Sequence, residues 1–366
     1  MNIFKKFGLR EVINASGKMT MLGGSVVPEP IGEDMRSALG NFVIIDELID
    51  YTGKIIAEFT GAQAGCPTLS AAAGVAISVA AVIAGEDLTK LQRLPNSEGL
   101  KNEIIIQKGH AIDFGGSILQ MIALGGGKPV EIGLSNGTKL AHLEGAITEK
   151  TAAIFYVKSH HTVQKGMLSL TEMIAVAKEH NLPVIVDAAA EEDFKKHIKL
   201  GPNLVIYSGS KALGGPTSGF ICGDADLIQA CKWQYKGIGR AMKISKELMV
   251  GLISGISNCS VKTSVQEQKD SMENICKRLN SIEGLFCKVV QDDVGREVFR
   301  AQINIDEKVS AKDVAKKLES GAPAIFLRDH YINQNILLID PRPLFEGQAG
   351  IILERLIEIM SNREIS

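Results

Sequence analysis

The stretch "LVIYSGSKALGGPTSGFICG", Leu204 to Gly223, decides how this chain is read. It opens with four apolar residues, Leu204 to Tyr207, which have the length and composition of a strand buried on both faces. A second such run, "GFICGD", begins at Gly219. Between the two stands a single lysine, Lys211. Ser208, Gly209 and Ser210 precede it; Gly214, Gly215 and Pro216 follow. Taken alone, Lys211 is a solvated loop residue. The end of a buried strand is also where an amine can be held desolvated, its charged form disfavoured, ready to act as nucleophile or base.

Working outward, "EIIIQKG" from Glu103, "AAIFYVK" from Ala152 and "PVIVDAAA" from Pro183 read as further buried strands. Between the last two lies "SLTEMIAVAKEHN", in which Ser169 and Glu172 form a capping box and Leu170, Met173, Ile174 and Ala177 share one helical face. Strand, helix and strand in this order predict an α/β fold with a mostly parallel central sheet covered by helices. Beyond about Met249 the pattern changes. A helix around "VQEQKDSMENICKRLNSIEG", a strand at "EVFRAQINID", a helix at "SAKDVAKKLESG", strands at "AIFLRDHY" and "NILLIDPRPL" and a closing helix at "GQAGIILERLIEIMSN" predict a smaller α+β domain. The first fifty or so residues show no strand-helix unit of their own. The expected organisation is an N-terminal segment (1–55) packing with the small domain, a large domain (56–248) and a small C-terminal domain (249–366).

Bulk properties agree with an ordinary globular protein. The 366 residues suit two domains rather than one core. A net charge of −2, without a basic run, excludes nucleic acid as an expected partner. The six cysteines, at 66, 222, 231, 259, 276 and 287, form no CxxC pair, which argues against zinc or a disulfide framework and fits a reducing cytosol. The opening "MNIFKKFGLREVINASG" has no apolar signal core before Arg10 and Glu11, so a cytoplasmic protein is expected. Phe59 to Gly85 contains no charge, but its core, "LSAAAGVAISVAAVIAG", is Ala, Gly, Ser and Val, which predicts a helix buried inside the protein rather than a membrane span.

Several motifs fail on inspection. "GGGKP" (Gly125 to Pro129) lacks the first glycine and the Ser or Thr of a phosphate loop, having Ile122 and Pro129 there. "GIGRAM" from Gly237 has Met242 where a dinucleotide fingerprint needs glycine, and it follows no strand. His160 and His161 are adjacent and cannot share one face, so an exposed loop or a substrate contact is expected there instead of a metal.

Three further features bear on Lys211. Asp187 ends the strand "PVIVD"; it either caps the next helix or points into the cleft where open α/β sheets bind ligands, able to hold a proton on a ring nitrogen. Ser208 and Ser210 are turn serines or phosphate ligands. "CPTLSAAAG" places Thr68 and Ser70 at a helix start, where they cap the helix or help its free N–H groups hold an anion. A lysine, an acidic strand end and two phosphate-compatible turns in one α/β unit point together to pyridoxal phosphate (PLP).

The sequence resembles the fold type I PLP enzymes, and among them the relatives of bacterial selenocysteine synthase (L-seryl-tRNA selenium transferase). The resemblance runs through "REVINASGKMTMLGGS", "KGHAIDFGGSILQMIALGGGKPVEIGLSNGT", "VIVDAAA", "SGSKALGGPTSGFICG", "KGIGRAMKISKE" and "LLIDPRPL". It implies that Lys211 carries PLP as a Schiff base, that Asp187 pairs with the pyridine nitrogen, and that Ser208, Ser210 and the amides after Ser70, at Ala71 and Ala72, bind the phosphate. It implies that His110 stacks on the ring, and that Arg342, with Arg328 as alternative, clamps a carboxylate. It implies a homodimer or larger homo-oligomer in which Arg240 approaches a neighbouring subunit's cofactor phosphate.

The larger relatives carry a tRNA-binding domain ahead of an "INATG"-like segment. Here "INASG" begins at Ile13, and no tRNA substrate is expected. The smaller relatives with "INASGKMT" and "SGSKALGGP" are the D-glucosaminate-6-phosphate ammonia-lyase group of sugar-acid catabolism. That likeness implies an α,β-elimination yielding a 2-keto-3-deoxy acid and ammonia. It also implies a second anion pocket for the substrate phosphate, with Lys18, Thr20, His160 and His161 as candidates. The alternatives are another PLP-dependent lyase or aldolase on a small amino acid, or a selenocysteine synthase-like transferase; Lys211 and Asp187 serve all of these.

Overall fold

The computed structural model describes residues 3–159, 161–259, 265–292 and 297–361. Twelve strands occur among them: β1 (Val12–Ala15), β2 (Ala64–Thr68), β3 (Glu103–Gln107), β4 (Lys128–Ile132), β5 (Thr151–Val157), β6 (Val184–Asp187), β7 (Leu204–Ser208), β8 (Gly219–Gly223), β9 (Leu285–Gln291), β10 (Phe299–Ile305), β11 (Ala324–Leu327) and β12 (Ile336–Ile339). The chain folds as two compact units, Val26–Ser260 and Met1–Ser25 with Val261–Ser366.

The larger unit is built on a seven-stranded sheet of order β2-β8-β7-β6-β5-β3-β4. Pairings among β7, β6, β5, β3 and β4 are parallel, whereas β8 is antiparallel to both neighbours. The sheet is mostly parallel, as its continuous apolar strands predicted: β5 and β7 are buried along their whole length. The predicted capping box forms, with the Ser169 hydroxyl oxygen accepting from the Glu172 N–H at 3.2 Å and a Glu172 carboxylate oxygen accepting from the Ser169 N–H at 2.7 Å.

The uncharged stretch from Phe59 to Gly85 holds more than the expected helix. The helix occupies only Ala71–Ala84, and β2 precedes it. β2 pairs with β8 alone, as an edge strand of the sheet, a place that tolerates Pro67 because an edge leaves one row of donors unused. The helix itself is buried from Ala73 to Ala81. No helix among the described residues is long and apolar enough to cross a membrane.

The smaller unit contains a three-stranded antiparallel sheet, β12-β10-β9, and a parallel pair, β1 with β11. The helices Val265–Leu279, Ala311–Glu319 and Gln348–Ser361 supply its remaining apolar faces. The unit boundaries differ from those expected at 55/56 and 248/249. The helix Glu29–Leu39 packs on the helix Lys246–Ser257, with the Ser254 hydroxyl donating to Asp34 at 2.7 Å, and the helix Ile45–Thr60 packs on β2. Residues 26–55 and 249–260 therefore belong to the larger unit.

Candidate active site

Strand register brings the sequence motifs of the larger unit together. Gly219, the first residue of β8, pairs on one side with Thr68, the last residue of β2, and on the other with Ser208, the last residue of β7. Three chain segments thus reach the same sheet edge at one level. Just beyond it, Ser70 caps the helix Ala71–Ala84: its side chain accepts from the Ala73 N–H at 3.0 Å, and the Thr68 hydroxyl donates to the Ser70 carbonyl at 2.9 Å. The N–H groups of Ala71 and Ala72, in the first turn, have no intrahelical acceptor and carry the positive end of the helix dipole. Gly219 sits so close to this helix start that a Cβ there would lie 2.6 Å from the Ser70 carbonyl carbon and 2.7 Å from the Ala71 nitrogen. Only glycine permits that approach.

Past β7 the chain turns tightly. The Gly209 N–H donates to the Ser218 carbonyl (2.9 Å), Gly215 to Gly209 (3.0 Å) and Gly214 to Lys211 (3.2 Å). The hydroxyls of Ser208 and Ser210 lie 3.2 Å apart. Lys211 is half-buried within this turn.

Asp187 ends β6, in register with Val157 of β5 and Ile206 of β7. Its side chain is buried and accepts from the Ala189 N–H at 3.0 Å. Burial pushes its pKa above the usual carboxylate value; the Ala189 hydrogen bond and the positive charge of Lys211 pull against that. Asp187 and Lys211 are therefore electrostatic neighbours.

His110 is fully buried after β3. Its Nδ1 accepts from the Val157 N–H at 3.3 Å, and its ring meets Tyr156 edge-on at 4.6 Å. Burial and then the charge of Lys158 bring its pKa down to about 4, which keeps the ring neutral, and Nε2 has no hydrogen-bond partner among the described residues. Stacking on a bound ring requires this covered face to open.

Arg240 is exposed in the short 3-10 helix Ile238–Met242. It lines a cavity of about 790 Å³ with Asp50, Lys232, Trp233 and Lys236. Neither Lys211 nor Asp187 lines that cavity. His161 is exposed, its N–H donating to the Ser159 hydroxyl at 3.2 Å; His160 lies outside the described residues.

The other expected residues fall in the smaller unit. Lys18 is half-buried and Thr20 exposed. Arg342 forms a two-point pair with Asp340, which also receives Arg300. Gly17, at φ +108°, lets the segment after β1 pass against this pair; a Cβ there would sit 3.3 Å from Asp340 Oδ2. Asp340 ends its strand run as Asp187 does, so the same signal could have flagged it. Arg300, the second residue of β10, gave none.

Comparison with known proteins places this arrangement. The family described as L-seryl-tRNA selenium transferase (SelA) matches residues 47–322. The chain belongs to the SelA family. It is 44% identical over 363 residues to a D-glucosaminate-6-phosphate ammonia lyase of Salmonella typhimurium, covering 98% of both chains. It is also 40% identical over 365 residues to a 5'-C-glycyluridine monooxygenase-decarboxylase of a Streptomyces species, covering 98% of this chain and 92% of the relative. A solved structure of D-glucosaminate-6-phosphate ammonia-lyase matches with a TM-score of 0.93 at 42% identity, over 99% of this chain and 98% of that one.

This SelA-family chain is thus a fold type I, PLP-dependent enzyme. Its residues fit that cofactor. The helix start, against which Gly219 packs closely, and the paired serines suit a phosphate, and the buried Asp187 suits a protonated ring nitrogen.

Proposed function

We propose that the chain is an ammonia lyase converting D-glucosaminate 6-phosphate to 2-keto-3-deoxy-6-phosphogluconate and ammonia. The observation that carries this reading is the full-length match to an ammonia lyase, in sequence and in structure. PLP, when bound, supplies the sink for the electron pair left at C2 of the substrate. Lys211 holds the cofactor aldehyde through Nζ, and the same amine takes the C2 proton. Asp187 holds a proton on the ring nitrogen. Ser208, Ser210 and the N–H groups of Ala71 and Ala72 bind the cofactor phosphate, with His110 beside the ring. Hydroxide is lost from C3, and water returned at C2 releases ammonia, so the atoms balance.

Arg342 of the smaller unit, with Arg328 as the alternative, takes the substrate carboxylate. Lys18, Thr20, His161 and His160 are the candidates for its phosphate. The enzyme works in the cytoplasm as a homodimer or larger assembly, in which Arg240 serves a neighbouring subunit's cofactor phosphate. Incubating purified protein with D-glucosaminate 6-phosphate, serine, threonine and cystathionine tests this. Keto acid and ammonia released from the sugar acid alone is the expected result; release from another substrate and not from this one would overturn it.

The Streptomyces relative favours a second reading, oxidative decarboxylation of an amino-acid-bearing nucleoside. Oxygen consumption and carbon dioxide release distinguish it, since the elimination uses and makes neither.

A further inference from the structure

His110 and Asp187 flank one residue, Val157, the last of β5. Val157 pairs with Asp187 on the β6 side. On the β3 side its N–H donates to Nδ1 of His110 at 3.3 Å. The backbone around His110 is fixed as well: the Val163 N–H donates to the Gly109 carbonyl at 3.0 Å, and the Ile112 N–H to the His110 carbonyl at 2.9 Å. The Tyr156 ring stands at 88° to the imidazole, with the centroids 4.6 Å apart. The imidazole is held by two neighbours before any ligand arrives.

The bond from Val157 decides where the ring carries its proton. A backbone N–H can only donate, so Nδ1 must offer its lone pair. Neutral imidazole has one donor and one acceptor nitrogen, which leaves the proton on Nε2. A second proton, on Nδ1, would face the Val157 N–H and break the bond; burial and the charge of Lys158 oppose it too. Nε2–H is buried and meets no acceptor among the described residues. Gln107, equally buried three residues earlier, shows the ordinary arrangement: its amide accepts from the Leu168 N–H at 2.8 Å and donates to the Leu168 carbonyl at 3.0 Å. A buried donor left open is costly, and that cost is recovered when a ligand oxygen reaches it.

We propose that His110 is a fixed hydrogen-bond donor, whose Nε2–H donates to an oxygen atom of the bound cofactor or substrate. The inference deepens the proposed reading, which sets His110 beside the cofactor, and holds whichever amino acid is the substrate. It replaces the stacking role implied by the resemblance and leaves proton abstraction to Lys211.

Nitrogen NMR of protein labelled at its seven histidines reads the ring directly, the His110 signals being those missing from His110→Gln. The expected result is a proton on Nε2 and none on Nδ1, with no titration near the ordinary histidine pKa of about 6.5. A proton on Nδ1, or titration near that value, overturns the proposal. Two variants then separate donation from stacking: His110→Phe keeps a flat ring and loses the donor, whereas His110→Gln loses the ring and keeps an N–H. Fluorescence titration measures PLP binding to the cofactor-free proteins, and D-gluconate 6-phosphate and D-alanine binding to the loaded ones. His110→Phe should weaken at least one ligand roughly 10-fold, and His110→Gln should keep most of that affinity. Weakening of PLP assigns the acceptor oxygen to the cofactor; weakening of the other ligands alone assigns it to the substrate. Full affinity for every ligand in His110→Phe overturns the proposal, as does loss in His110→Gln alone, which would mean stacking. A yellow wild type whose His110 signals ignore all three ligands also overturns it, while leaving PLP at Lys211 and the lyase reading intact.

Discussion

Asp340 grips Arg342 at two points, and neither atom of its carboxylate is left to water: Oδ1 takes Nε and Oδ2 takes Nη2, while Arg300 closes on Oδ2 from the other side. Burial alone would raise this carboxyl's pKa; hydrogen bonds and charge from Arg342 and Arg300 outweigh it and hold the pKa far below the usual range. Breaking such a buried pair leaves an uncompensated charge. Asp340→Asn should destabilise the protein by about 3–5 kcal/mol, read from the midpoint of urea unfolding. The sign follows from linkage: a depressed folded-state pKa contributes stability above the unfolded pKa, and that contribution is lost as pH falls below about 4. The gap between wild type and Asp340→Asn should therefore narrow in acid.

Asp187 behaves in the opposite sense. Its raised pKa in the cofactor-free protein means that the folded state disfavours its anion. That cost is full above the folded pKa and disappears as pH falls through it toward the unfolded value. Asp187→Asn should stabilise the cofactor-free protein near neutrality, with a benefit that shrinks in acid. The same variant should turn over about 10- to 100-fold more slowly with PLP, the equivalent of a hydrogen bond to a charged group. Thermal melts across pH and steady-state kinetics check the two halves separately.

Lys211→Ala should remove both the yellow colour of the bound cofactor and a factor of roughly 10²–10⁴ in turnover, the usual contribution of a positioned base. Absorbance spectra and borohydride labelling followed by peptide mapping report on the attachment independently of rate. Label found on another lysine would move the chemistry elsewhere.

Gly219→Ala tests the packed start of β8. The new Cβ would meet backbone atoms of Ser70 and Ala71 at 2.6 and 2.7 Å. Backbone cannot step aside as a side-chain tip can, so the variant should lose about 1–3 kcal/mol of stability. It should also bind PLP more weakly, because the helix start would shift. Fluorescence titration of the cofactor-free protein with PLP measures this.

The sheet was legible where its strands are long apolar runs, as at "AAIFYVK" and "LVIYSGS". It was not legible at β2, β4 and β1, which are short and carry Pro67, Pro129 or polar Asn14. Such edge or paired-off strands owe their conformation to neighbours distant in sequence, and local pattern cannot show that. The places of Lys211, Asp187, Ser208 and Ser210 at or just past strand ends could be read because turn residues follow those apolar runs. The Arg300 link could not: an arginine inside a strand looks like a solvent-facing residue until the fold shows it 3% exposed.

The meeting of Thr68, Gly219 and Ser208 at one level has a bearing on how the protein matures. Its walls come from segments some hundred and fifty residues apart in the chain, so they adjoin only once β8 has slotted between β2 and β7. Long-range pairings of this kind form late. A nascent or partly assembled chain would have nothing to offer vitamin B6, and capture of the cofactor would act as a final lock, adding to the lifetime of finished molecules while leaving unfinished ones open to proteolysis.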